Sequence, residues 1–297
     1  MLKHPLISVI MNCHNGEKYL KESIQSVLFQ TYENWELIFW DNKSEDESGK
    51  IFKSYTDKRF RYFYSEKYTS LYEARNLAIE KSKGDFIAFL DTDDMWEKNK
   101  LELQMPYFQN PEVGLVFTNQ WIIKKNKKNK KLFSKKKLPS GKIYNQLINN
   151  YNVGILTTVI RKKFYEKLEK KFDNRYSIIG DFDLFLRLSK ICYFESVQQP
   201  LAFYRIHGQN FSINFKEKEI EETKMWLNEN KLQLTETQFK KIEKENFFRE
   251  FINCKLYGNY KDTIIFLLNH KKNLFNLKNF VILFIPNIML KKLLWFH

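Results

Sequence analysis

The sequence predicts an α/β fold in which helices flank a mostly parallel, Rossmann-like sheet, followed by a helical carboxyl-terminal appendage. Short apolar runs alternate with helical patterns up to residue 91, and this alternation favours a parallel sheet with helices on both faces. Beyond about residue 215, charged helical patterns continue without strand signals. We therefore expect an α/β domain over residues 1–215 and a helical region over residues 216–297.

Four apolar runs have the length expected of strands that are buried on both faces. They cover residues 6–11, 35–40, 60–64 and 86–90. Between these runs, residues 17–30 and 71–83 carry helical patterns. In the first pattern Leu20, Ile24 and Val27 recur on one helical face, which predicts that this face packs against the sheet.

Polar residues follow three of the four predicted strands. They are Asn12, Cys13, His14 and Asn15 after the first run, residues 41–44 after the second, and residues 91–94 after the fourth. In open α/β sheets the ligand binds beyond the carboxyl ends of the strands. We therefore expect these three clusters to meet at one rim and to form the functional site.

The acidic cluster after the fourth strand indicates a metal site. Asp91 and Asp93 lie where a buried strand ends, and close carboxylates repel one another unless a cation lies between them. Hard oxygen ligands suit Mg²⁺ or Mn²⁺, and such an ion stabilises the charge that builds on a leaving diphosphate. The alternative from the residues alone is that Asp93 or Asp94 caps a helix beginning near Glu97.

Two common phosphate-binding loops do not occur in the sequence. No GxGxxG follows the first strand and no GxxxxGK[ST] is present, which argues against a dinucleotide fold and a P-loop nucleotidase. A site of this kind would hold a nucleobase through an aromatic face and a polar edge. His14 is the candidate for the stacking face and Asp41 for the edge that accepts a base N–H, although a histidine at a strand end is also a common structural residue.

The formal net charge of +15 is concentrated in one segment, because nine lysines lie between residues 124 and 137. This density is typical of a solvated loop or hairpin tip. The segment has one aromatic residue, Phe133, and no nucleic-acid-reading module, so we expect no nucleic-acid partner.

The cysteine content and the amino terminus indicate a reducing, cytoplasmic setting. Cys13, Cys192 and Cys254 are far apart and form no CxxC pair, so neither a disulfide framework nor a cysteine zinc site is expected. The apolar run at residues 6–11 is too short for a secretory signal.

Four stretches of the sequence together resemble the family 2 glycosyltransferases. They are residues 6–48 with NCHN and WDNKSED, residues 71–96 with EARN and DTDD, residues 180–188 (GDFDLFLRL) and residues 203–212 (FYRIHGQNFS). The order and spacing of these motifs match over about residues 5–213. The resemblance implies an inverting enzyme with the A-type nucleotide-sugar-binding fold.

The resemblance also implies how the nucleotide is held. His14 takes the place of an aromatic ring that stacks on uracil, and Asp41 lies against the pyrimidine edge, although Asn42 and Lys43 depart from the usual family pair. Arg75 is similar to the family arginine near the nucleotide, whereas without the motif it reads as an exposed helix residue. The implied contacts with the nucleotide sugar are Asn12, His14, Asn15, Asp41, Arg75 and Asp91.

For the metal, the resemblance implies that Asp93 binds the cation, Mn²⁺ or Mg²⁺, directly. Asp91 contacts the ribose or the cation. His207 lies in a segment that resembles the family's closing loop, and imidazole is an acceptable ligand for Mn²⁺. His207 is therefore the third candidate ligand, with a simple turn residue beside Gly208 as the alternative.

Asp181 is the candidate catalytic base. In the resemblance it occupies the second position of a family pattern that is commonly Glu-Asp followed by an aromatic residue, Asp and Leu, and Gly180 replaces the glutamate. Inverting transfer needs a carboxylate that takes the proton of the acceptor hydroxyl as its oxygen attacks the anomeric carbon. Asp183 is expected to cap the helix or to pair with Arg187 at i+4 instead.

The appendage ends in an apolar stretch at residues 280–296 that Pro286 interrupts. It is shorter than the roughly 20 apolar residues of a membrane span. With the lysines from residue 271 onward, it suits a helix lying in an anionic membrane surface. A helical pair packed on the core, or a dimer contact, is the structural alternative.

The residues and the resemblance together predict a metal-dependent inverting glycosyltransferase. The predicted donor is a nucleotide sugar, with UDP favoured, and the acceptor is a glycan or lipid-linked glycan of lipopolysaccharide or another cell-surface polysaccharide. The predicted location is the cytoplasm, at the inner face of the cell membrane. A catalytically inactive sugar-nucleotide-binding relative is an alternative because of Gly180, and a phosphatase of the haloacid dehalogenase type is a remote one because FLDTDDM nearly matches its motif.

Overall fold

The computed structural model describes residues 4–124, 129–210, 214–258, 263–266, 282 and 285–294. The chain divides into two compact units, residues 1–210 and residues 211–297. The first unit contains the sheet. The described part of the second unit is mainly helical.

The amino-terminal half of the sheet is parallel. Its elements are β1 (Ile7–Cys13), α1 (Glu17–Leu28), β2 (Trp35–Asp41), α2 (Ser48–Lys53), β3 (Phe60–Tyr64), α3 (Leu71–Glu80) and β4 (Phe86–Phe89). The strands lie in the order β3-β2-β1-β4, and every pairing among them is parallel. The four predicted strands and the two predicted helices are confirmed, with ends shifted by a few residues.

Helix α1 packs against the sheet through the predicted face. Leu20, Ile24 and Val27 are fully buried, and burying each such side chain stabilises the fold by about 2 kcal/mol. β1, β2 and β4 are likewise buried on both faces. β3 departs from that prediction, because it is the edge strand and its residues are only half-buried, with Tyr64 exposed.

The second half of the sheet is mixed in direction. Its strands are β5 (Met95–Trp96), β6 (Val113–Ile123), β7 (Lys130–Leu132), β8 (Val159–Arg161) and β9 (Tyr193–Arg205). From β4 the order continues β8-β6-β9-β5, with β7 paired to β6. β8 is antiparallel to β4 and β6, whereas β6 and β9 are parallel. The complete sheet is therefore mixed, and its parallel character is confined mainly to the first four strands.

The helices of this half are short apart from one. They are α4 (Lys100–Gln104), α5 (Tyr144–Asn149), α6 (Lys162–Lys167) and α7 (Gly180–Ile191). β5 pairs antiparallel with β9, with Met95 opposite Phe203. This pairing brings the end of β9 beside the acidic residues that precede β5, which is where the sequence places the functional site.

The lysine-rich segment belongs to a hairpin. β6 and β7 pair antiparallel, with Ile123 opposite Lys130, and residues 125–128 lie outside the described residues. The Lys130 ammonium lies 4.2 Å from the ring centroid of Trp121. Part of the positive charge of this segment is thus packed on an aromatic face of its own hairpin.

The second unit contains the helices α8 (Lys216–Asn230), α9 (Glu236–Tyr257) and α10 (Asn287–Leu294). Thr235 and Gln238 form a capping box at the start of α9. The Asn246 side chain donates to the carbonyl oxygen of Ile220 at 3.0 Å, which joins α9 to α8. The charged helical patterns predicted beyond about residue 215 are confirmed over α8 and α9.

The predicted membrane-surface helix lies largely outside the described residues, which include only residues 282 and 285–294 of its span. In that part, Ile282 and Leu290 pack with Phe247, Phe251 and Ile252 in one apolar cluster. Among the helices that the structure describes, none has the length and apolar character to cross a bilayer.

Candidate active site

The loops that follow β1 and β2 are joined by hydrogen bonds at the carboxyl edge of the sheet. The Asn42 amide donates to the Cys13 carbonyl at 2.7 Å, the Asn15 amide donates to Ser44 Oγ at 3.1 Å, and the Glu45 amide donates to Asn15 Oδ1 at 2.8 Å. The first two polar clusters therefore meet at one rim, as the sequence predicts.

His14 and Tyr68 form an aromatic surface at this rim. Their ring centroids are 4.6 Å apart, and both side chains are exposed. His14 Nδ1 lies 3.0 Å from the carbonyl oxygen of Asn42. Because a carbonyl only accepts, Nδ1 carries the proton and fixes the ring orientation. The predicted stacking face is present, and it includes Tyr68, which the sequence analysis did not identify.

Asp41 lies beneath the rim rather than on it, with 2% of its surface exposed. Its Oδ1 accepts from the Ser44 amide at 2.8 Å, and its Oδ2 accepts from the Tyr62 hydroxyl at 2.6 Å. Asp41 therefore holds the loop that follows β2. Each carboxylate oxygen accepts one bond here and retains a lone pair for a further donor, such as a pyrimidine N–H.

Asn12 has an unpartnered donor close to this rim. Its side-chain nitrogen is buried without a hydrogen-bond partner, and Asn12 lies opposite Trp40 in the β1–β2 pairing. The indole nitrogen of Trp40 is also buried without a partner. Buried donors are normally hydrogen-bonded. Two neighbouring donors without partners at the ends of β1 and β2 therefore favour the binding of a ligand that carries hydrogen-bond acceptors.

Lys43 holds a strained backbone conformation in the loop after β2. Its φ is +61°, and the other non-glycine residue with positive φ in the described chain is Asn15, at +54°. Asparagine tolerates this region better than lysine does.

We expect Lys43→Gly to raise the free energy of unfolding by up to about 1 kcal/mol, because relief of the left-handed strain outweighs the entropy that glycine adds to the unfolded chain. Urea denaturation measures this change. Lys67→Gly is the matched control, since Lys67 is exposed and its φ is not positive. It should lower the free energy of unfolding, and an equal loss in both variants would contradict the assigned strain.

Arg75 is buried, with 3% of its surface exposed, and is not the exposed helix residue that its position alone suggests. Its Nη2 donates to Asp91 Oδ1 at 2.8 Å. The guanidinium also interacts electrostatically with the Asp181 carboxylate. Arg75 thus connects the end of β4 with the start of α7, and it brings two predicted site residues from distant parts of the chain into one charge cluster.

Asp181 lies in the first turn of α7. Its Oδ1 accepts from the Phe182 amide at 2.8 Å and lies 3.4 Å from the Tyr72 hydroxyl. Burial raises the pKa of the Asp181 carboxyl above its ordinary value, while Arg75 and the Tyr151 hydroxyl limit the increase. A carboxylate with a raised pKa that remains partly accessible suits a general base.

Asp183 has the structural role expected of it. It forms an ion pair with Arg187, with Oδ2 2.6 Å from Nη2. Arg187 also donates to the carbonyl of Lys171 at 2.8 Å. Asp183 therefore ties α7 to the preceding segment, and the two acids of this motif have different surroundings.

Asp93 and His207 meet at the other side of the site. His207 Nε2 lies 2.8 Å from Asp93 Oδ2, and the Asn210 side chain donates to the same oxygen at 3.3 Å. The His207 ring lies 5.1 Å from that of Tyr19. The predicted approach of residue 207 to the acidic cluster is therefore present in the structure, and Asn210 supports it.

The acid loop, residues 91–94, is held in place by groups from α1 and β9. Arg205 donates through Nε to the Asp93 carbonyl at 2.9 Å and pairs through Nη2 with Glu22 at 2.7 Å. Ser23 Oγ contacts the carbonyl oxygen of Asp94 at 2.6 Å. These supports could not be predicted from the sequence, because Ser23 and Arg205 lie 71 and 112 positions from the loop residues that they contact, and no local pattern links residues so far apart.

Asp94 is buried and does not cap a helix. Its Oδ1 accepts from the Arg205 amide at 2.8 Å, whereas α4 begins later, with Asn99 at its N-cap. The helix-cap alternative for Asp94 is therefore wrong. Burial, and then the charges of Asp93 and Asp91, raise the pKa of Asp94 well above its ordinary value.

The donor set fits a divalent ion held jointly by protein and substrate. Within the described part of the chain, no three His, Cys, Asp or Glu side chains are placed to hold a metal together. The Asp93–His207 pair supplies one oxygen and one nitrogen at a spacing suited to two neighbouring ligands. Mg²⁺ and similar ions commonly use one or two protein carboxylates and complete their shell with substrate phosphates. Asp91 is engaged by Arg75 through one oxygen.

Comparison with known proteins shows the class of this protein. The family model described as "Glycosyl transferase family 2" matches residues 8–187, and the chain belongs to this family. It is a glycosyltransferase, and its fold is the A-type fold that the sequence analysis predicts. Family membership also argues against the phosphatase alternative.

Individual relatives add detail about the family. The chain is 34% identical over 185 residues to the Escherichia coli UDP-Glc:alpha-D-GlcNAc-diphosphoundecaprenol beta-1,3-glucosyltransferase WfgD, covering 62% of this chain and 70% of that protein. It is 32% identical over 212 residues to Bacillus subtilis TuaG, whose name assigns it to teichuronic acid biosynthesis, covering 71% of this chain and 82% of the relative.

A solved structure supports the fold. The S. aureus TarS 1–349 crystal structure in complex with UDP superimposes with a TM-score of 0.64 at 18% identity. The match covers 86% of this chain and 76% of that chain. At this identity the likeness concerns the fold.

Proposed function

We propose that this glycosyltransferase moves glucose from UDP-glucose to a hydroxyl of a GlcNAc-diphospholipid, with inversion, in the synthesis of a cell-surface polysaccharide. The observation that carries the proposal is the convergence of two functional groups, the Asp93–His207 pair and the Asp181 carboxylate, joined through Arg75 and Asp91. The choice of donor and acceptor is supported by the activity that the name of WfgD states.

On the donor side, the uracil base stacks on the surface formed by His14 and Tyr68. Asn12, with its unpartnered buried donor, and Asn15 contact the nucleotide sugar, and Asp41 supports the loop below. A divalent cation, held by Asp93 and His207 with the diphosphate, would neutralise the charge that develops on the departing UDP.

Arg75 and Asp91 lie between the donor and acceptor sides. Because Arg75 is buried and paired with Asp91, its charge is fixed in position before substrate arrives. Preorganised charge of this kind costs little reorganisation during the reaction. We propose two roles for Arg75. It orients Asp91, which contacts the ribose or the cation, and its positive charge keeps Asp181 ionised.

On the acceptor side, Asp181 accepts the proton of the attacking hydroxyl. The hydroxyl oxygen forms a bond to the anomeric carbon, while the bond from that carbon to the diphosphate oxygen breaks on the opposite face. The electron pair of the broken bond leaves with UDP, and the proton remains on Asp181. One carboxylate on the acceptor side is sufficient for this single displacement, so Gly180 in place of glutamate does not prevent it.

We propose that the enzyme works at the cytoplasmic face of the membrane, where a lipid-linked acceptor is accessible. The support is the undecaprenol-linked acceptor in the name of WfgD. Residues 271–297 remain the proposed contact with anionic lipid, and the catalytic domain is proposed to end near residue 215.

The test is turnover of defined substrates. Purified protein is incubated with Mn²⁺, a synthetic GlcNAc-diphospholipid and UDP-glucose, UDP-galactose, UDP-GlcNAc or GDP-mannose, and both UDP or GDP release and the product mass are measured. We expect repeated turnover with UDP-glucose, at least about tenfold faster than with the other donors. Nucleotide binding without turnover for every donor would instead show the inactive relative.

A further inference from the structure

Gly180 lies against the ring of Tyr72. Gly180 begins α7 and is buried. A Cβ added to Gly180 would lie 2.5 Å from Cε2, 2.6 Å from Cδ2 and 2.7 Å from Cζ of Tyr72. These distances are shorter than any ordinary carbon–carbon contact, so no side chain fits at position 180 while Tyr72 stays where it is.

Tyr72 is held firmly in this place. Only 2% of its surface is exposed, and its ring stacks on Phe172 with centroids 5.2 Å apart. Its hydroxyl donates to the Ile178 carbonyl at 2.8 Å. A ring that is held at both its face and its hydroxyl does not move aside easily. The close contact between Tyr72 and Gly180 is therefore part of the packing of this site.

The same hydroxyl lies 3.4 Å from Asp181 Oδ1, so its one proton is shared between this oxygen and the nearer carbonyl of Ile178. Arg75 lies one helical turn after Tyr72 on α3, and its guanidinium lies 5.3 Å from the Tyr72 ring centroid. The groups that face Asp181 are therefore Tyr72 and Arg75 from α3 and Tyr151 from the segment before β8. Two of these three groups come from α3.

We propose that Tyr72 is a positioning residue that fills the space of the missing side chain at position 180 and holds the Asp181 carboxylate toward the acceptor. The role of Asp181 as base rests on the proposed function. The ring of Tyr72 thus occupies the space that the side chain of the family glutamate would need at position 180. Asp181 consequently has no negative charge beside it at that position. A glutamate there would add a like charge beside it and disfavour its ionised form.

The packing half of the proposal is tested by a double-mutant cycle on the full chain. Gly180→Ala should lower Tm by about 5 °C, because overpacking against the Tyr72 ring costs stability. With Tyr72→Ala already present, Gly180→Ala should leave Tm unchanged or raise it, because alanine is the better helix former. If Tyr72→Ala does not fold, Tyr72→Leu replaces it in the same cycle. Additive Tm changes would overturn the assigned contact.

The positioning half is tested with Tyr72→Phe, which keeps the ring and removes the hydroxyl. We expect kcat to fall about fivefold with the KM for UDP-glucose within about twofold, since the weaker arm of a shared hydrogen bond to the reacting group is lost and donor binding is not involved. Tyr165→Phe is the matched control. Tyr165 is buried in the same aromatic cluster, 6.2 Å from Phe172, and its hydroxyl bonds Asn76, not Asp181. It should keep kcat within about twofold.

Asp181→Asn separates this inference from the proposed function. If Asp181→Asn is inactive and Tyr72→Phe has a normal kcat, Tyr72 is not a positioning residue, although Asp181 remains the base. If Asp181→Asn is fully active, the base assignment fails, and with it the positioning role of Tyr72. A kcat loss of equal size in Tyr72→Phe and Tyr165→Phe would likewise overturn the inference, because it would reflect general loosening of the cluster.

Discussion

Asp181→Asn should reduce sugar transfer by about a thousandfold, the size of effect expected when a general base is removed. Asparagine has the same shape and cannot accept the proton of the attacking hydroxyl. The dissociation constant for UDP should stay within about threefold, because Asp181 lies on the acceptor side of Arg75 and makes no contact assigned to the nucleotide. Initial-rate kinetics with UDP-glucose and calorimetric titration with UDP measure the two quantities.

Asp183→Asn is the matched control, since it removes an acid two residues away in the same helix. Asp183 is paired with Arg187, so this variant should lose thermal stability and keep kcat within about threefold in the folded protein. Equal kinetic losses in the two variants would contradict the assignment of Asp181 as the base.

The pH dependence of kcat should report the same carboxyl. Burial raises the pKa of Asp181 above its ordinary value. A base works only when it is ionised, so the rate should fall as the pH drops through this raised pKa, and the acid limb should lie above the range of an exposed aspartate. An acid limb at or below about pH 4 would be inconsistent with a buried base.

Asp93→Asn should abolish the dependence of UDP binding on Mn²⁺ and reduce transfer by about a hundredfold or more. Asparagine keeps the side-chain shape and its contacts with His207 and Asn210, but it removes the charge that attracts the cation. Titration of UDP with and without Mn²⁺ measures the effect directly. In the native protein Mn²⁺ should tighten binding, and in the variant the two titrations should coincide.

Glu97→Gln is the matched control for Asp93→Asn, because it removes one negative charge four residues after Asp93 and leaves the Asp93–His207 pair in place. It should keep the Mn²⁺ response of UDP binding. A normal Mn²⁺ response in Asp93→Asn would place the metal elsewhere or show that the enzyme works without one.

The first half of the fold follows from local sequence patterns. The runs that form β1, β2 and β4 are mostly apolar because each strand is buried on both faces, and the two polar side chains inside them, Ser8 and Glu36, hydrogen-bond to each other. The polar residues directly after these strands then share an edge by topology alone. The approach of residue 207 to the acid loop was implied by the family resemblance, because no local pattern predicts β9.

The second half was not predictable in the same way. β5 has two residues and β8 has three, too few to produce a periodic signal. The direction of β8 depends on the strands it lies between, and its antiparallel pairing, together with those of β5 and β7, makes the sheet mixed. Short strands of this kind are fixed by tertiary pairing rather than by their own sequence.

The supports of the site were also hidden from the sequence. An arginine on a helix, such as Arg75, reads as exposed until the partner Asp91 is known to lie at 2.8 Å. Tyr72 reads as an ordinary core residue, and nothing local shows that its ring meets Gly180. Contacts between α3 and α7 join residues more than 100 positions apart, and residue spacing carries no information about them.

The most direct test of the central claim is anomalous X-ray scattering from crystals grown with UDP and Mn²⁺. The structure predicts an Mn²⁺ peak within about 2.3 Å of an Asp93 oxygen and of His207 Nε2, with the diphosphate completing the shell. Asp181 should lie on the far side of Arg75, facing an open acceptor space and making no bond to the ion. An Mn²⁺ ion bound without Asp93, or bound to Asp181, would contradict the division of roles between these two acids.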